Sequence, residues 1–222
     1  MSYKIAIDSC GELLKEWKED ERIESVPLTL MVDGESIIDD ETFDQKDFLK
    51  KVAECPECPK SACPSPERYM KAYEDEAEHI YAVTLSSELS GSYNSAVLGK
   101  SLYLEEHPEK KIHVFNSRSA SGGESLIAMK IIECENKGFS FEEVVSTVEE
   151  YIEEMSTFFV LENLETLRKN GRLSRVKALV ASALKIKPVM GSTPEGTICQ
   201  LDQARGMNKA IVKMVDHVAE KG

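Results

Sequence analysis

Four short apolar runs, each leading into a polar turn, limit how this chain can fold more than any other feature. Tyr3 to Ile7, Val26 to Val32, and the runs around Ile80 and Ile112 alternate with helical stretches: Asp44 to Ala53, Pro66 to about Glu76, and a third after Ser92. Strand, helix and strand in that order argue for a parallel sheet flanked by helices. The loops leaving the carboxyl ends of the strands carry Asp8, Ser90 and Ser117, and they gather along the edge where open α/β sheets bind ligands. Phe141 to Met155 ends this lobe as an amphipathic helix, with Val144, Val145, Val148 and Ile152 on one face and acids on the other.

The remainder predicts a second, smaller α+β lobe. Thr157 to Leu161 reads as a strand, and a helix follows from Leu164. Ile186 to Met190 pairs with Thr197 to Leu201 across a Gly- and Pro-containing turn, and Met207, Ala210, Ile211, Met214, Val215 and Val218 mark a last amphipathic helix. The expected division is 1–155, an α/β ligand-binding lobe, and 156–222, a C-terminal α+β lobe.

The chemistry concentrates in the turn Leu85 to Ala96, between the strand at 79–84 and the helix that begins near Ser92. The first backbone N–H groups of a helix lack partners, and such an end attracts an anion. Ser is also the commonest helix cap, so one Ser-Gly here would mean little. Five serines within residues 86–95 exceed what one cap can use. A second segment, Pro59 to Tyr69, repeats the logic: Ser65 is a natural N-cap, Pro66 suits the first helical position, and Ser61 lies just before. Taken alone, it reads as a Pro-punctuated loop ending in a capped helix.

Patterns of catalysis are missing from the chain. It has no Gly-x-Ser-x-Gly elbow and no Gly-x-Gly-x-x-Gly turn, and Gly99-Lys100-Ser101 lacks the earlier glycine of a phosphate loop and falls mid-helix. None of His79, His107, His113 and His217 is placed as a base for Ser90, and a serine without a base is a hydrogen-bond donor, not a nucleophile. No catalytic residue is assigned and no cofactor is expected.

Charge narrows the partners. A formal charge of -13 on 222 residues repels phosphate backbones and anionic membrane surfaces, which argues against a nucleic-acid partner. There is no basic start leading into an apolar core and no membrane-spanning run, so the expected setting is the reducing cytoplasm. Six cysteines therefore predict thiols, not disulfides. Cys55, Cys58 and Cys63 begin a zinc-ligand spacing, but no fourth ligand completes it, and no metal is expected.

Together these residues resemble the DegV family. Lys60 to Tyr69 is similar to its Thr-Ser-Gln-Pro-Ser segment, and Leu89 to Ala96 to its Leu-Ser-Gly-Thr-Tyr-Gln-Ser-Ala segment. Ile7-Asp8-Ser9, Pro27-Leu28, Val114-Phe115-Asn116-Ser117 with Ser121 and Gly123, Asn170-Gly171-Arg172-Leu173-Ser174, Leu184 to Val189 and Ala204-Arg205-Gly206 follow in the family's order. Ser61 stands for the usual Thr, Ala62 and Cys63 for Ser and Gln, and Asn116 for Asp. The family's closing His-Gly-Pro-Gly-like segment has no counterpart in this sequence, so by resemblance either the chain is a fragment or its C-terminal lobe is shortened, and the head-group His has no match here.

The resemblance implies a carrier of a long-chain fatty acid. About fourteen buried methylenes at roughly 0.8 kcal/mol each supply on the order of 11 kcal/mol before ordering costs, against about 1.5 to 3 for a hydrogen bond to the carboxylate. Affinity then comes from the tail, while hydroxyls fix the head. By resemblance the head-group role falls on Ser61 and Ser90, with Gly91 and Ser92 beside them and Ser117 and Ser121 on the neighbouring turn. Arg172 and Arg205 would lie near the exposed carboxylate, where the catalytic subunit of a fatty acid kinase docks and forms the acyl phosphate. Residues 168–177 hold five positive charges and no acid, which a solvated helix end also explains. Two other readings stand beside the carrier. One is an enzyme acting on a small phosphorylated or carboxylated substrate at the Ser90 turn, and the other is a scaffold with a vestigial anion site.

Overall fold

The computed structural model describes residues 2–173 and 186–221 of the chain. It divides into two compact units, Met1–Met155 and Ser156–Gly222. In the first, β1 (Tyr3–Asp8) and β2 (Ile23–Val26) are followed by β3 (Thr29–Val32), β4 (Glu35–Ile38), α1 (Gln45–Glu54), β5 (Lys60–Ala62) and α2 (Pro66–Tyr73). Then come β6 (His79–Thr84), α3 (Ser92–Glu106), β7 (Lys111–Asn116), α4 (Gly122–Asn136) and α5 (Phe141–Glu154).

The central sheet has the order β2-β1-β6-β7 and is parallel throughout. Its residues alternate between two helical layers, as a period of two requires when both faces are covered. Ile5, Ile7, Tyr81, Val83 and Phe115 pack with Ile127 and Ile131 of α4 and Val144, Val148 and Ile152 of α5. Ala6, Ile80, Ala82, Ile112 and Val114 turn the other way, onto Tyr69 and Tyr73 of α2 and Ala96 and Tyr103 of α3. The α5 helix starts where its sequence dictates, at a capping box in which the Ser140 hydroxyl accepts the Glu143 N–H and the Glu143 carboxylate accepts the Ser140 N–H.

The expected strand Val26 to Val32 is divided: Val26 is the last residue of β2, which begins at Ile23, and Thr29–Val32 is β3. Pro27 has no N–H to give a ladder, and there the chain leaves the parallel sheet for a separate antiparallel one, ordered β4-β3-β5. Asp33 and Gly34, both at positive φ (52° and 76°), make the two-residue hairpin between β3 and β4. The segment expected as loop before α2 is β5, which pairs with β3 so that Ser61 lies opposite Leu30.

The second unit holds β8 (Phe158–Val160), α6 (Glu165–Lys169), β9 (Ile186–Ser192), β10 (Ile198–Arg205) and α7 (Met207–Lys221), its three strands antiparallel in the order β10-β9-β8. The β9–β10 pairing follows the predicted hairpin, and a register shift between Gln200 and Asp202 carries β10 on to Arg205. On α7, Ala210 is buried, while Ile211, Val215 and Val218 of the predicted apolar face are exposed. Ser174, Arg175, Lys177, Leu184 and Lys185 lie outside the described residues. No helix among the described residues is long and apolar enough to cross a membrane.

Candidate functional site

The loops at the carboxyl edge of the parallel sheet are laced together by hydrogen bonds. After β6, the Leu89 and Ser90 N–H groups both donate to the Ser86 carbonyl, at 2.9 and 3.1 Å. The Ser86 N–H donates across to the Ser119 carbonyl (2.8 Å) on the loop after β7. Asn116 adds a second tie, accepting the Ser87 N–H (3.1 Å) and donating its amide to the Ser87 hydroxyl (2.8 Å). An ionised Asp at that position could accept but not donate.

The Ser90 turn presents its hydroxyl at the start of α3. Ser90 Oγ accepts the Ser92 N–H at 3.2 Å and lies 3.1 Å from Ser92 Oγ. Gly91 occupies the cap position, exposed and without a capping side chain. Ser92 is fully buried. The segment after β5 reaches this turn: a Cβ at Gly91 would stand 3.0 Å from the Cys63 sulfur, which is itself 3.8 Å from Ser95 Oγ. Gly99 makes the approach possible, because a Cβ there would lie 2.6 Å from the Pro66 carbonyl at the first turn of α2. The two serine-bearing segments of the sequence thus meet at one place, with Ser61 exposed on β5 two residues before Cys63.

The other predicted residues are placed as follows. Ser117 is buried, and its hydroxyl donates to the Ser119 carbonyl and accepts the Ser119 N–H, both at 3.0 Å, which closes its own turn. Ser121 is exposed at the cap of α4 with φ 56°, its hydroxyl 3.4 Å from Glu12 Oε1. Arg172 and Arg205 belong to the second unit and are exposed, Arg172 after α6 and Arg205 at the end of β10. All six cysteines are free thiols.

Two residues absent from the predicted site lie behind the serine turn. Asp8, at the carboxyl end of β1, is fully buried; Oδ2 accepts the Leu85 N–H at 3.0 Å and Oδ1 the Cys10 N–H at 3.1 Å. Glu124, in the first turn of α4, is equally buried, and neither of its carboxyl oxygens has a hydrogen-bond donor. Oxygens of Asp8 and Glu124 and the Cys10 sulfur fall within 4.8 Å of one another. Burial raises the Asp8 carboxyl, with the Leu85 and Cys10 N–H groups among those opposing it. Burial and then the Asp8 charge push Glu124 well above the ordinary carboxyl range. The position of Asp8 at a strand end was visible in the sequence. Nothing there marked Glu124, since an acid in the first turn of a helix is ordinarily a solvated partner of the helix dipole.

Comparison with known proteins fits this geometry. A family model described as "Uncharacterised protein, DegV family" matches residues 2–222. A DegV family protein from Ruminococcus gnavus, refined with vaccenic acid, is 61% identical and superposes with a TM-score of 0.96, covering 100% of this chain and 79% of that one. The Fatty Acid Kinase (Fak) B3 protein of Streptococcus pneumoniae, loaded with linoleic acid, is 38% identical with a TM-score of 0.92, over 100% and 79% of the two chains. Among curated proteins, a DegV domain-containing protein of Streptococcus pneumoniae is 40% identical over 198 residues, 89% of this chain and 70% of its own length.

Proposed function

The chain belongs to the DegV family, and we propose that it is a carrier of a long-chain fatty acid whose carboxylate is held at the start of α3. One observation carries the reading: the two hydroxyl-bearing segments converge where Cys63 packs against Gly91. There Ser61 and Ser90 supply donors, Ser92 and the Gly91 backbone flank them, and Ser117 and Ser121 shape the adjoining turn. Relatives that cover the whole of this chain carry vaccenic and linoleic acids, which supports the same ligand class here.

The protein is not itself an enzyme in this reading. It delivers the acid to the catalytic subunit of a fatty acid kinase, with Arg172 and Arg205 stabilising the charge that develops on the acyl phosphate. The strongly acidic composition and six free thiols fit a cytoplasmic carrier. Extraction of the purified protein with organic solvent followed by mass spectrometry should release a C14 to C18 acid, in the chain-length range whose methylenes supply most of the affinity. Protein that comes out empty and then binds none of the acids offered would end the carrier reading. In the same assay Ser90→Ala should weaken retention by about 1 to 3 kcal/mol, and unchanged affinity would remove Ser90 from the site.

A further inference from the structure

Asp8 and Glu124 have no part in the head-group reading above, yet both are fully buried directly behind the Ser90 turn. With oxygens inside a 4.8 Å cluster, two carboxyl groups cannot both ionise unless something compensates the charge. The titratable groups facing them are Cys10 from the turn after β1, Tyr69 from α2 and, acting on Cys10, Asp39 from the loop after β4. Each of these is neutral or negative and none of them supplies a compensating positive charge, which favours a proton retained by the pair.

Hydrogen bonding decides where that proton sits. Asp8 receives one backbone N–H on each oxygen, from Leu85 and from Cys10, and such donors favour a carboxylate. Glu124 receives none, which favours the neutral acid, and its O–H then has an acceptor in Asp8. The upward displacement of Glu124 by burial agrees. The Leu85 N–H held by Asp8 opens the serine turn, the Cys10 N–H belongs to the turn after β1, and Glu124 brings in α4.

We propose that Glu124 is a positioning residue which shares one proton with Asp8, and that this proton keeps the Ser86–Ser92 turn in the arrangement that accepts a carboxylate ligand. The proposal rests on the head-group reading for its ligand. When the proton is lost, a second negative charge appears beneath the turn, the junction of three segments loosens, and an arriving anion is repelled. Acid binding therefore weakens as pH rises.

Decanoate, an acid short enough to stay monomeric, serves as the probe. Its affinity is measured by calorimetry from mildly acidic to alkaline pH for the wild type and for Glu124→Gln, with circular dichroism at each pH to follow the fold. Infrared spectra of both proteins are recorded at neutral pH. The wild type should lose about tenfold in affinity per pH unit once the pair releases its proton. Glu124→Gln, which keeps a donor but cannot ionise, should hold its affinity level. The wild-type spectrum should contain a protonated-carboxyl band that Glu124→Gln lacks. Parallel pH profiles, or no such band in the wild type, would overturn the shared proton. If decanoate binds neither protein at any pH, the head-group reading fails, and the infrared band alone then decides whether the pair holds its proton.

Discussion

At the scale of single residues, the site combines side chains whose type announces their role with side chains whose surroundings create it. Ser90, just before α3, and Asn116, at the end of β7, are polar groups whose partners follow from the turns they close. Glu124 depends wholly on context. Its ordinary carboxyl value is 4.5, and the folded value lies well above because burial, and then the Asp8 charge, penalise the anion. Below the ordinary value both folded and unfolded chains hold the proton, and stability does not change. Above it the unfolded chain releases a proton that the folded chain keeps, so stability falls with rising pH until the folded value is passed. Glu124→Gln removes that loss. Urea denaturation should give the variant an advantage that grows by about 1.4 kcal/mol per pH unit inside the window; an advantage independent of pH would mean Glu124 is ionised in the folded protein.

At the scale of elements, period and punctuation foretold most of the first unit. β1, β6 and β7 and the helices α1, α2, α3 and α5 fall where apolar alternation and caps place them, α5 most clearly through Ser140 and Glu143, whereas β2 begins at Ile23, ahead of the expected run, and α4 was not among the expected helices. The antiparallel sheet of β3, β4 and β5 was not legible. The exposed Lys-Ser-Ala of β5 has little strand propensity of its own and becomes a strand by pairing with β3, so the partner decides. Gly99 is a similar case. In the sequence it is an isolated glycine in a helix, whereas in the fold it is where α3 meets the first turn of α2. Gly99→Val should force the helices apart and cost about 1 to 3 kcal/mol, read from the denaturant midpoint. Cys63, released from Gly91, should then react faster with a thiol reagent when followed by peptide mass spectrometry. An unchanged Cys63 rate would show that the two segments meet without help from that crossing.

At the scale of the whole molecule, the function proposed above assigns binding and delivery to residues of different units, the serines in Met1–Met155 and the two arginines in Ser156–Gly222. Arg172→Ala should leave acid retention unchanged and slow acyl-phosphate formation by the partner kinase, by up to about 10²-fold, the lower end of the loss seen when a preorganised charge-stabilising donor is removed. Lost retention with normal phosphorylation would reverse that assignment. The sequence by itself determined three of the four parallel strands, the helices α2, α3 and α5 beside them, the serine turns and the family, because each is written in local periodicity, in turn residues or in an ordered set of motifs. The tertiary structure alone decided that Cys63 touches Gly91 and that Asp8 and Glu124, 116 positions apart in the chain, share one buried site. Such contacts are set by how close helices and strands can approach once packed, and no local pattern encodes a distance across the fold.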